Sequence, residues 1–287
     1  MTIQFTIPGH FEVNFRRAII LLMARELSIN SVDGIDDWLL KISSLSYDEN
    51  FLTESNRIAI ALVKSVNILN ALKWRELVRK TSIGSKLIPK LYDFSSLNVK
   101  ETLLYEVNTI AVSISTFPER LSKTLGDTVS KLRANGVSEL QITNSIKKKF
   151  ASLLVQRAKL LVQSDLHRVN SNITRVRSND FRLPCFIWST SKDEVVRPAH
   201  FRMENVLVFW NHLPSPELLI HIPAFFGRYV PGGCPNCRCS AVPVVSIDDL
   251  FTTVLSRIKV YYNDEIRLMT RLQLLKVISQ ESYAEIT

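Results

Sequence analysis

Three of the chain's four cysteines fall within one short run, GGCPNCRCS, at Cys234, Cys237 and Cys239. Thiols this close together do not suit an ordinary disulfide framework; the spacing fits reduced cysteines or a soft-metal site. They offer up to three ligands to a tetrahedral zinc ion, with a histidine as the natural fourth. His200 belongs to the same segment and is the first choice, with Cys185, His212 and His221 as rivals. The competing reading is a set of small buried thiols closing a turn, and a single C-x-x-C does not decide between the two. Upstream, Asp193, Arg197 and His200 follow one another as D-x-x-x-R-x-x-H. A histidine near a carboxylate can exchange protons near neutral pH. Asp and Arg at this spacing also form ordinary ion pairs, and Pro198 stiffens the turn, so a structural role is expected. The sequence holds no Gly-rich phosphate loop, nucleophile elbow or H-E-x-x-H, and no catalytic residue is assigned.

The order of these features resembles that of the phage Mu F-like minor head protein family, the phage head morphogenesis domain. The residues that carry the resemblance are Trp188, Asp193, Arg197, His200, Pro231, Gly232, Cys237, Arg238, Cys239 and Pro243. Upstream, LRANGVSELQITNSIKKKF resembles the family's glycine-centred helix pair. Val162, Gln163, Ser164 and Asp165 stand where the family has A-R-T-E. The arginine is absent and the acid one methylene shorter, so only the carboxylate role carries over, to Asp165. The likeness covers roughly residues 130 to 250. It implies a non-enzymatic component of the virion, near the portal, acting in head morphogenesis and in DNA packaging or ejection. Its implied partners are the portal protein, phage DNA, and the major capsid or scaffolding protein, with the host cytoplasm as the place of assembly. Other readings are a metal-dependent hydrolase or toxin-related enzyme, and a sequence-independent DNA-binding module.

Charge is concentrated just upstream of the cysteine-rich segment. Residues 145–183 hold nine Lys or Arg against Asp165 and Asp180, in a chain of net charge +9. Lys147, Lys148, Lys149, Arg157, Arg168, Arg175 and Arg177 are candidate phosphate contacts, and nothing in the pattern reads bases. Arg157, Arg168 and Arg175 recur within about 20° of one another on a helix. A solvated helix face explains the same pattern.

Around these residues the chain reads as helix. Its 287 residues, with 46% hydrophobic and 22% charged content and only eight glycines, fit a mainly α protein with a small α+β module. No apolar run approaches a membrane span, and the N-terminus lacks a signal-peptide pattern. Apolar periodicity predicts helices over 11–27, 36–42, from a Thr53 cap to Trp74, over 99–113, and over 119–134 with Gly136 as C-cap. Pro89 breaks the pattern before 99. Ser138 and Gln141 form a capping-box pattern that opens a helix to Phe150, followed by another over 151–179. Asp165 borders the apolar stripe of that last helix, and Arg197 or His200 is its expected partner. The expected organisation is a helical domain over 1–136, connecting helices over 137–180, the head morphogenesis module over 181–247, and a C-terminal helix over 248–287.

Overall fold

The computed structural model describes residues 5–26, 34–84, 86–87, 96–223, 225–251 and 256–284. It is mainly helical, with a small mixed sheet towards the C-terminus. Its helices are α1 (Gly9–Glu26), α2 (Ile35–Ser44), α3 (Glu49–Arg79), α4 (Leu97–Ser115), α5 (Phe117–Ala134), α6 (Glu139–Asp180), the short α7 (Pro198–Arg202) and α8 (Arg271–Ala284). The expected break near Ala151 is absent: α6 is one helix of 42 residues. Asp48, not Thr53, caps α3, its side chain accepting from the Phe51 N–H at 2.8 Å. Pro89 lies outside the described residues.

The chain divides into two compact units. One comprises residues 8–65 and 104–166. Within it α2 packs on α5, and Trp38 meets Phe150 edge-on at 5.1 Å. The Arg133 guanidinium bridges Asp36 and Glu139 at 2.8 and 2.7 Å, holding both carboxyls below their usual range. Gly136 ends α5 at φ +72°, as its position predicts, and the Val137 N–H returns to the Leu132 carbonyl.

The other unit comprises residues 1–7, 66–103 and 167–287. Strands β1 (Cys185–Ser189), β2 (Val206–Phe209), β3 (Ser240–Pro243), β4 (Arg257–Tyr262) and β5 (Glu265–Thr270) form one sheet in the order β3-β1-β2-β4-β5. All neighbours are antiparallel except β2 and β4. Alternation along β1 and β2 splits the core. Phe186, Trp188, Val206 and Val208 face the cysteine-rich side; Cys185, Leu207 and Phe209 face α8 through Leu274 and Val277. The expected single helix over 248–287 is therefore corrected: β4 and β5 form a hairpin closed at Asn263 and Asp264, both at positive φ, and among the described residues helix is confined to the 3₁₀ turn Asp248–Leu250 and α8.

A polar network lies inside this unit. Asn70 donates to Asn170 Oδ1 at 2.9 Å and to Thr174 Oγ1 at 2.6 Å, Asn170 donates to the Phe5 carbonyl, and Arg177 donates to the side-chain carbonyls of Asn70 and Asn67. Arg177 is 1% exposed. Burial lowers its pKa to about 9, with Arg75 adding to the effect. A guanidinium so enclosed cannot reach a phosphate, which corrects its place among the expected DNA contacts.

Candidate metal centre

The site is assembled from two segments held against one face of the sheet. Arg197 and Pro198 open α7, which carries His200 into the core beside Trp188, the ring centroids 5.6 Å apart. The turns after Tyr229 bring in Cys234, Cys237 and Cys239, all buried and in the reduced form. Cys237 N–H closes a turn onto the Cys234 carbonyl, which folds the C-x-x-C back on itself.

His200 Nδ1 stands 3.5 Å from Cys237 Sγ and 3.6 Å from Cys239 Sγ, and Nε2 stands 3.9 Å from Cys234 Sγ. A tetrahedral zinc ion with bonds of about 2.3 Å to sulfur and about 2.0 Å to nitrogen separates its N and S ligands by roughly 3.6 Å. The ligand atoms of His200, Cys234 and Cys237 lie within 4.8 Å of one another, so this cluster could hold a metal ion, with Cys239 beside it. Its donor set of thiols and imidazole suits zinc over hard cations.

A further layer of contacts orients these groups. His200 Nε2 meets Tyr229 Oη at 2.9 Å, and Tyr229 donates to the buried carboxylate of Glu217 at 2.6 Å. Nδ1 faces Cys237 and Cys239 while Nε2 faces both Tyr229 and Cys234, and the Tyr229–Glu217 pair orients the ring as the outer contacts of a ligating histidine do. Two donors point at sulfur: Arg197 Nη1 to Cys234 and the Gly232 N–H to Cys237, each at 3.2 Å.

The proton affinities follow from this packing. Burial alone lowers the His200 pKa, but the hydrogen bonds and charges of Cys234 and Cys237 outweigh it and hold the value at about 9. Cys234 is raised by its hydrogen bond to Cys237 and by burial, whereas Cys239 is lowered by its bond from Cys237. Burial, then the bond to Glu217, raises Tyr229. Of the rival ligands, Cys185 faces the other side of the sheet, pushed up to about 12 by burial, and His212 and His221 are exposed.

The other expected motif residues find different partners. Asp193 pairs with Arg238 at 2.7 Å and does not pair with Arg197. Asp165 is buried, but Arg197 donates to Cys234 and to the Pro235 carbonyl at 2.8 Å, and His200 bonds Tyr229 and the thiols. Tyr229 and Glu217 escape a reading of the sequence because no local spacing links them to His200. Lys147, Lys148 and Lys149 are exposed and Arg157 is half-buried, donating to Thr124 Oγ1; none of these has a carboxylate partner among the described residues. Arg168 and Arg175 are half-buried.

The Pro231–Gly232 turn is seated on α6. Ser171 Oγ donates to the Pro231 carbonyl, and Gly232 lies against the His167 backbone. His167 is buried, and burial, followed by the charge of Arg238, lowers its pKa to about 4. The folded value is below the unfolded one, about 6.5, so the folded state resists protonation. Stability from this group is therefore complete above about pH 6.5 and is lost as pH falls towards 4, up to about 3 kcal/mol. Urea titrations of wild type and His167→Gln between pH 7.5 and 4.5 are expected to converge as pH falls; parallel profiles would show that His167 does not contribute.

No family model, curated protein or solved structure matches the chain. No helix among the described residues is long and apolar enough to cross a membrane.

Proposed function

We propose that the chain is a non-enzymatic minor head protein of a tailed phage, associated with the portal and acting in head morphogenesis and DNA packaging or ejection. The observation that supports this reading is the convergence of the residues that carry the family resemblance. His200, Cys237 and Cys239 meet beside Trp188, Arg197 reaches Cys234, Arg238 holds Asp193, and Pro231 and Gly232 rest on α6. In this reading zinc is held by His200 and the three thiols, a full tetrahedral set that leaves no open position for substrate and ties the module together. The hydrolase reading requires such a position. Phage DNA is contacted without regard to sequence through Lys147, Lys148, Lys149 and Arg157, whose charges no acid offsets among the described residues.

The test is made in infected cells with the gene inactivated. Heads are expected to assemble while infectious yield falls at least tenfold, and the tagged chain should co-sediment with wild-type heads in few copies. Unchanged yield, or a chain absent from purified heads, would remove the proposal.

A further inference from the structure

The elements that build the metal centre also display an apolar surface. Between Val195 and Phe226 six large apolar side chains are exposed: Val195 (78%), Phe201 (69%), Leu218 (47%), Ile222 (44%), Phe225 (81%) and Phe226 (45%). Single exposed apolar residues are ordinary, but three phenylalanines on adjoining elements are not. The elements are in contact: α7 packs on the 3₁₀ turn Pro216–Ile220, and the Arg197 guanidinium lies over the Phe226 ring at 5.5 Å. The surface is also held in place. Phe226 meets Tyr229 edge-on at 6.4 Å, Ser215 Oγ donates to the Gly227 carbonyl at 2.6 Å, and the Ile222 N–H donates to the Glu217 carbonyl. A surface fixed before binding loses little side-chain freedom on contact.

Its charge is lopsided. Arg197 and Arg202 have no carboxylate partner among the described residues, whereas Glu204 pairs with Lys192 and Glu217 is buried against Tyr229, leaving Glu194, next to Val195, as the exposed acid against them. Exposed phenylalanines beside arginine are the composition of protein-binding hot spots. Binding to anionic lipid calls instead for clusters of about four to eight cations, more than this face carries.

We propose that this face docks a protein segment whose aliphatic or aromatic side chains are flanked by carboxylates. The apolar side chains seat against Phe201, Phe225 and Phe226, and the carboxylates meet Arg202 and the outer edge of Arg197. The inference rests on the portal-associated reading and assigns the surface that the portal would use.

The test measures binding of the full-length chain to purified portal protein, with a Phe201→Ser/Phe225→Ser double variant and, separately, Arg202→Glu. All three positions are exposed, and unchanged thermal unfolding will confirm the fold. The double variant is expected to bind at least tenfold more weakly, and Arg202→Glu several-fold more weakly with a flatter salt dependence. Wild-type binding that both variants retain would overturn the docking face while leaving the portal reading intact. Failure of the wild type to bind portal would overturn both. Binding to phosphatidylcholine–phosphatidylglycerol vesicles that the double variant loses, with portal binding unchanged, would assign the face to lipid and overturn the proposal.

Discussion

Protein purified without chelator is expected to contain about one zinc ion per chain, and Cys237→Ser to lose it together with much of the stability of the cysteine-rich region. Structural zinc contributes on the order of 10 kcal/mol where it alone holds a small peptide together. Here Phe186, Trp188, Val206 and Val208 form an apolar layer under the site that survives metal loss. The expected cost is therefore smaller, about 4 kcal/mol, or a fall of roughly 10 °C in Tm for a chain of this size. Cys239→Ser and a strong chelator should act in the same direction. Cys185→Ala is the control: that thiol lies among Leu207, Phe209 and Leu274 on the opposite face and should leave zinc content unchanged. Zinc near background in the wild type, with unfolding indifferent to chelator, would leave four buried thiols and no metal.

The second large effect is expected at Gly232. Its φ is +81°, and a Cβ there would stand 2.8 Å from the His167 carbonyl oxygen and 3.0 Å from its carbon. Those are backbone atoms of α6 and cannot swing aside. Left-handed strain of about 1–2 kcal/mol and the clash together put Gly232→Ala at about 3 kcal/mol or more. Gly136 separates the two contributions, because it has φ +72° but nothing within 4 Å of where a methyl group would stand. Gly136→Ala should show the conformational strain alone, about 1 kcal/mol. Urea unfolding midpoints of both variants provide the measurement. Equal losses at the two positions would mean that the turn does not bear on α6 as described.

Much of this is legible in the sequence wherever the signal is local. The helical periodicity of α1 to α6 and the terminating role of Gly136 depend on neighbours a turn away, and the cysteine spacing points to the cluster that could hold a metal ion. Choosing His200 as the fourth ligand needs only its place in the same segment. Tyr229 and Glu217 are not legible, because their contact with His200 exists only once α7 and the turn after Pro216 have packed together. Arg177 departs from expectation for a simple reason. It follows Arg175 by two positions, about 200° around the helix, and so lies on the opposite side from that residue. The β4–β5 hairpin reads as helix because a stripe drawn through Ile258 and Leu268 runs across the Asn263–Asp264 turn, where the strand period restarts.

The strand order carries a consequence for synthesis. The candidate metal ligands and β1, β2 and β3 have all been made by Pro243, yet the outer edge of β2 acquires its neighbour only when β4 follows. Until then Leu207 and Phe209 lack their cover from Val260 and α8, beside a row of backbone groups ready to pair with any passing strand. A nascent chain stalled at that point would carry its candidate ligands complete and its sheet open, which makes the interval between synthesis of β3 and of β4 a period of exposure to mispairing and to chaperones.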